Sequence, residues 1–133
     1  MIRPVTRALI RSIDHFVLTC GDVEATVGFY TRVLGMGVET FGAGRRALSF
    51  GDQKINLHQA GAEFEPKARV ATPGSGDFCL LSDVPVAEIA EHLAAEGVEV
   101  IEGPVPKTGA TGPLVSIYFR DPDGNLVEVS NIG

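Results

Sequence analysis

The chain is poor in cysteine, in positive charge and in long apolar runs, and it contains no tryptophan among its 133 residues. Its two cysteines, Cys20 and Cys79, lie in apolar strand-like stretches and read as buried free thiols rather than a disulfide. The net charge of −6 argues against a nucleic-acid partner, whose phosphates would be repelled, and equally against anionic membranes. No apolar stretch reaches the roughly 20 residues needed to cross a bilayer. Met1–Arg11 carries Arg3, Arg7 and Arg11 but no apolar core, so it does not read as a secretory signal. Residues 1–12 are expected to form a flexible arm, and the cytoplasm is the expected location. The apolar fraction of 44% is enough for a core without disulfide or metal staples.

What the chain does have is internal repetition. Ile13–Thr40 and Ser75–Glu102 each read as strand, helix, glycine, strand. Asp22 caps the first helix, expected near Val23–Leu34, with Val23, Val27, Tyr30, Val33 and Leu34 on one stripe. The second is expected near Pro85–Glu96, with Val86, Ile89, Ala90, Leu93 and Ala94 inward. Gly35 and Gly97 stop the two helices at matching places, as residues free to take positive φ. The shift that takes Gly35 to Gly97 also takes Val38 to Val100 and His15 to Asp77. A larger shift takes Phe50, Asp52, Asn56 and Leu57 to Phe119, Asp121, Asn125 and Leu126, and the added residues fit a glycine- and proline-rich insert over Gly103–Pro113. The pattern is a duplicated βαβββ module. The spans are 13–60 for the first copy, 61–74 for an ordered connecting loop and 75–133 for the second.

Ser116–Val129 reads as strand, tight turn and strand, the turn being Asp121-Pro122-Asp123-Gly124-Asn125. Alternation puts Leu126, Glu128 and Ser130 on one face and Val127 and Val129 on the other. A lone carboxylate between two valines either meets solvent or does chemistry. His15 sits in a matching strand, Ile13-Asp14-His15-Phe16-Val17-Leu18. An imidazole and a carboxylate from two strands are what a divalent metal site requires.

From about Ile13 to Ser130 these residues resemble the vicinal-oxygen-chelate superfamily of glyoxalase I, extradiol dioxygenases, fosfomycin-resistance transferases and bleomycin-binding proteins. The resemblance rests on the Asp-His strand opening, the Phe-Tyr-x-x-Val-Leu-Gly helix end at Phe29–Gly35, and the Tyr118–Glu128 hairpin. Phe50–His58 and Glu63–Ala68 look like the glyoxalase domain-containing subgroup. The resemblance implies an α+β fold in which two tandem βαβββ modules form an incomplete barrel or cup, often completed by a homodimer. It implies a divalent metal (Zn, Ni, Mn or Fe), with His15 and Glu128 in the ligand set and Glu128 as the catalytic carboxylate. Ser116 and Tyr118 resemble hydroxyls that face the ligand in the fosfomycin transferases. Asp77 stands where relatives often place a histidine, and is either a ligand or a strand-start cap. Asn56 stands where glyoxalase I relatives place a glutamate; His58, two residues on and on the same side, is the candidate for the missing nitrogen. His92 reads as a solvated helix residue.

The expected function is a glyoxalase-like, metal-dependent enzyme of lyase or isomerase type acting on a small oxygen-bearing metabolite. Two alternatives stay open: a metal-free drug-binding protein, and an iron-dependent ring-cleaving dioxygenase using His15, His58 and Glu128. A fosfomycin transferase is disfavoured, because Val17 stands where a threonine is expected.

Overall fold

A computed structural model describes residues 8–133. Residues 1–7 of the expected arm lie outside the described part. Residues 8–12 are exposed and carry no helix or strand. In chain order the elements are β1 (His15–Cys20), α1 (Val23–Leu34), β2 (Gly37–Phe41), β3 (Arg45–Phe50), β4 (Gln53–Gln59), β5 (Asp77–Leu81), α2 (Val86–Ala95), β6 (Glu102–Thr108), β7 (Pro113–Arg120) and β8 (Leu126–Ile132).

The helix boundaries follow from local chemistry. The Asp22 carboxylate accepts hydrogen bonds from the Glu24 and Ala25 backbone N–H groups, which no helical carbonyl can reach. Gly35, at φ 67°, ends α1 in the left-handed conformation and returns its N–H to the last turn. The α2 start has no side-chain cap of its own. Asn131, from the end of β8, accepts from the Val86 N–H at 2.8 Å instead and gives its amide to the Ser82 and Val84 carbonyls.

The strands form two four-stranded sheets, β1-β4-β3-β2 and β5-β8-β7-β6, with no closed barrel. In each, the first strand is parallel to the last and the remaining pairs are antiparallel. This is the tandem βαβββ architecture. The insert expected over Gly103–Pro113 is largely β6, an edge strand that carries Pro104 and Pro106. An edge position needs only half of its backbone donors, so proline is tolerated there. Val98 and Val100, expected in that strand, precede it and pack on the core.

The strand registers also correct the repeat alignment. His15 pairs with Lys54 and Val17 with Asn56, as Asp77 pairs with Leu126 and Cys79 with Glu128. Asn56 is therefore the counterpart of Glu128, not of Asn125, and His58 is the counterpart of Ser130. Only Gly51 and Asp52 separate β3 from β4, whereas Asp121–Asn125 separate β7 from β8. The longer turn absorbs residues that a sequence shift cannot allocate.

Both helices and one face of each sheet share a single core. Leu48, Ile55 and Leu57 come from the first sheet, and Ile117, Phe119, Val127 and Val129 from the second. α1 bridges the two: Phe29 lies 6.3 Å from Phe119, and the buried Tyr30 hydroxyl donates to Asp121 at 2.7 Å. The sheets meet edge to edge without pairing, through Phe16 against Phe78 at 5.0 Å. Because both sheets turn their helix-covered faces to one core, their opposite faces point away from it. His15, Asn56 and His58 lie on the outward face of the first module, and Ser116, Tyr118 and Glu128 on that of the second.

Candidate functional site

On the second module, β7 and β8 bring Ser116, Glu128 and Ser130 side by side. Tyr118 is the direct cross-strand partner of Glu128, and Ser116 that of Ser130. The Ser116 hydroxyl donates to Glu128 Oε2 at 2.7 Å and lies 2.6 Å from the Ser130 hydroxyl. The Cys79 sulfur lies 3.2 Å from the same Ser130 oxygen. Each hydroxyl has one proton, so the groups form a relay from Cys79 through Ser130 and Ser116 to the carboxylate. That relay fixes the Glu128 rotamer. Ser116 is fully buried, so its hydroxyl is engaged with Glu128. Tyr118 is half-buried; burial, then the Glu128 carboxylate beside it, push its phenol up to about 12. Burial also pushes the Cys79 thiol up, which keeps it protonated at neutral pH. Cys79 is exposed rather than buried; Cys20 is buried, and both are free thiols.

On the first module, Asn56 and His58 are buried, at 6% and 3% exposure, and Asn56 Oδ1 and His58 Nε2 have no hydrogen-bond partner. The connecting loop folds over this face and sets the Phe64 ring edge-on to His58 at 5.6 Å. Burial, then the nearby Arg45 guanidinium, lower the His58 pKa, so the imidazole is neutral. His15 is exposed, with Nδ1 2.8 Å from Asp14 Oδ1. It lines a cleft of about 1130 Å³ along the β1 and β5 edges, and Asp77 lines the same cleft.

The structure thus brings His15 and Asp77 to one cleft, Glu128 and Tyr118 to a second place, and His58 to a third. Among the described residues, no three His, Cys, Asp or Glu side chains group closely enough to hold a metal ion. The expected convergence of His15, His58, Asp77 and Glu128 does not occur among the described residues of one chain: only His15 and Asp77 share a cleft. His92 is exposed, as expected, and also places Nε2 3.2 Å from the Arg32 carbonyl, a contact between α2 and α1. Sequence reasoning missed Ser130 and Cys79 as supports of Glu128, although the shared strand parity of Ser116, Glu128 and Ser130 was a usable signal.

The glyoxalase/bleomycin resistance protein/dioxygenase superfamily profile matches residues 12–129, nearly the whole chain. The chain belongs to this superfamily. It is 57% identical over 122 residues to the glyoxalase domain-containing protein RDO1 of Mycosarcoma maydis, covering 92% of this chain and 69% of that protein. The crystal structure of the virulence protein STM3117 from Salmonella typhimurium superimposes with a TM-score of 0.92 at 50% identity, covering 95% of this chain and all of that one. A lactoylglutathione lyase from Agrobacterium tumefaciens shares the superfamily fold at a TM-score of 0.70 and 27% identity, covering 90% and 92% of the two chains. No described helix is long and apolar enough to cross a membrane.

Proposed function

We propose that the protein is a glyoxalase-like, metal-dependent enzyme acting on a small oxygen-bearing metabolite, and that its cup is completed by a second copy of the chain. The observation that carries this reading is the shared core, which leaves the site-bearing face of each sheet uncovered by either helix. A homodimer that sets the first module of one copy against the second module of the other brings His15 and Asn56 to Asp77 and Glu128 of its mate, twice per dimer.

The residues fit a divalent ion. Asn56 Oδ1 is a buried oxygen without a partner at the position equivalent to Glu128. One imidazole, one amide oxygen and two carboxylates form a hard donor set, suited to manganese, iron or nickel more than to a thiolate-type zinc site. Asn56 takes the place expected for His58, because the guanidinium beside His58 repels a dication.

When bound, the ion supplies a Lewis acid that holds two neighbouring substrate oxygens and stabilises the charge that develops on them. Glu128 is the carboxylate available to hold or move a proton beside that centre. Ser116 holds it by donating to Oε2, with Ser130 behind Ser116, so little reorganisation is needed at the reacting position. Tyr118 stays protonated across the physiological range and is a hydrogen-bond donor for an oxyanion.

Complementation tests the reading. His15→Ala and Glu128→Gln each remove metal uptake when expressed alone. Refolded together, they form mixed dimers in which one cup carries both lesions and the other carries none, so uptake returns. Uptake by the parent with no recovery on mixing, or a parent that sediments only as a 14.1 kDa species, overturns the two-copy site. A parent that takes up no divalent ion supports the metal-free binder.

A further inference from the structure

The outward face of the first module carries a second arrangement of charge that the metal reading leaves unused. Arg45, on β3, stacks on two rings: its guanidinium carbon lies 5.3 Å from the Phe41 centroid and 4.6 Å from that of Phe64. Lys54 Nζ lies 4.1 Å from the same Phe41 ring. Two cations therefore flank one aromatic ring. Neither is in an ion pair among the described residues, although Arg32, Arg46, Lys67 and Lys107 all are. The nearest acids on the loop are already engaged, since Lys67 pairs with Glu63 at 3.2 Å and with Glu65 at 3.6 Å. Glu39 shares this face of β2 but pairs with neither cation. Across the Phe64 ring from Arg45, His58, with 3% exposure, leaves Nε2 unpartnered. On a chain of net charge −6, two unpaired cations at one aromatic ring, with a buried imidazole on the same sheet face, define a local site for negative charge.

We propose that this face binds the anionic end of the ligand, a carboxylate or phosphate joined to a flat apolar body. Arg45 and Lys54 hold the anion, His58 offers a hydrogen bond from Nε2, and Phe41 and Phe64 wall the apolar part. The guanidinium presents parallel N–H donors that match a carboxylate or phosphate fork. Both rings already pack against the planar Arg45 guanidinium, so their faces suit a flat body. A buried unpartnered imidazole nitrogen is costly unless a ligand satisfies it. This inference names the substrate class for the proposed enzyme and rests on that reading for its biological meaning, but its geometry lies wholly within one chain.

The test uses the full chain with benzoate and phenyl phosphate as probes and benzamide as the neutral isostere of benzoate, followed by calorimetry and by the His58 imidazole signals in NMR. We expect both anions to bind at millimolar concentration or below and to shift the His58 signals, with benzamide about tenfold weaker. Arg45→Met and Lys54→Met keep the apolar stems and each weaken benzoate about tenfold. Divalent-ion uptake is measured on the same variants and is not lost, since neither side chain is a ligand in the proposed cup. Equal binding of benzamide and benzoate, unchanged benzoate affinity in both variants, or no saturable binding of either anion overturns the proposal. Failure of metal uptake in the parent, with anion binding intact, counts against the enzyme reading alone.

Discussion

Replacing Tyr30 with phenylalanine removes one oxygen and tests how the two modules are joined. The Tyr30 hydroxyl, fully buried on α1, donates at 2.7 Å to Asp121 Oδ2 in the turn between β7 and β8. A hydrogen bond to a charged partner contributes about 1.5–3 kcal/mol. Asp121 keeps three other donors, the Asp123 and Asn125 backbone N–H groups and the Asn125 amide, so it is not orphaned. The ring also keeps its edge-on packing against Phe29 at 5.3 Å. The expected loss is therefore about 2 kcal/mol. For a domain of this size that is a drop of about 6–10 °C in Tm. Urea unfolding at pH 7 should show a lower midpoint with an unchanged slope. The pH dependence adds a second signature. Burial, then the Asp121 charge, raise the Tyr30 pKa far above its ordinary value. The unfolded phenol ionises near 10 while the folded one stays neutral, so this component of stability is intact below pH 10 and is lost as pH rises beyond it. The variant has no such component, and the gap between the two proteins should narrow above pH 10. A loss under about 0.5 kcal/mol, or a gap that stays constant with pH, would refute the contact as the joint between the modules.

Ultraviolet titration of the native protein should show no phenolate step near 10, because Tyr30 and Tyr118 are its only tyrosines and both are raised, Tyr118 to about 12; a full step at the ordinary value would place Tyr118 in solvent. Acid should destabilise the protein through His58. Burial, then Arg45, lower its pKa, with Glu63 and Glu65 opposing and Lys67 adding to Arg45. The unfolded imidazole takes a proton near 6.5 and the folded one resists, so stability is lost as pH falls below that value. His58→Gln should flatten the stability profile between pH 7 and pH 5, and an unchanged slope would remove His58 as its source. Gly76→Ala should destabilise by about 1–3 kcal/mol, since its Cβ would sit 2.8 Å from Asn125 Oδ1 and 2.9 Å from Leu18 Cδ2. Gly28→Ala, in mid-α1 with open space around it, should stabilise by about 0.5–1 kcal/mol; both are read from denaturant midpoints.

The elements that were legible in the sequence are those whose causes are local. Asp22 and Gly35 bound α1 because capping depends on a few neighbouring residues. The alternation of Leu126–Ser130 assigns Glu128 to a face because strand period is a backbone property. What was hidden depends on distant parts of the chain. The counterpart of Asn56 could not be fixed while turn lengths differed. β6 was masked by Pro104 and Pro106, which weaken any strand signal, although an edge position tolerates them. The His58 environment is made by Phe64 from the connecting loop and Arg45 from β3, and no spacing within β4 encodes either. The outward turn of both faces follows from Phe29 and Tyr30 reaching the second module, a tertiary choice that the repeat alone leaves open.

The two halves of the duplication differ in chemistry as well as in register. At equivalent positions, the second module carries Glu128 and Ser130 where the first carries Asn56 and His58. Across the neighbouring strand, Tyr118 stands beside Glu128 where Ala47 stands beside Asn56. One face is thus built around a carboxylate and hydroxyls, and the other around an amide, an imidazole and the cations Arg45 and Lys54. Pairing of like faces would set cation against cation or carboxylate against carboxylate, which is unfavourable when water is excluded. Pairing of unlike faces sets charge against opposite charge, and a two-fold axis satisfies it twice in one closed dimer. The same divergence divides the work in the proposed cup. The second module holds the reactive carboxylate in a fixed rotamer, and the first supplies an oxygen ligand together with a positively charged wall for the substrate's anionic end.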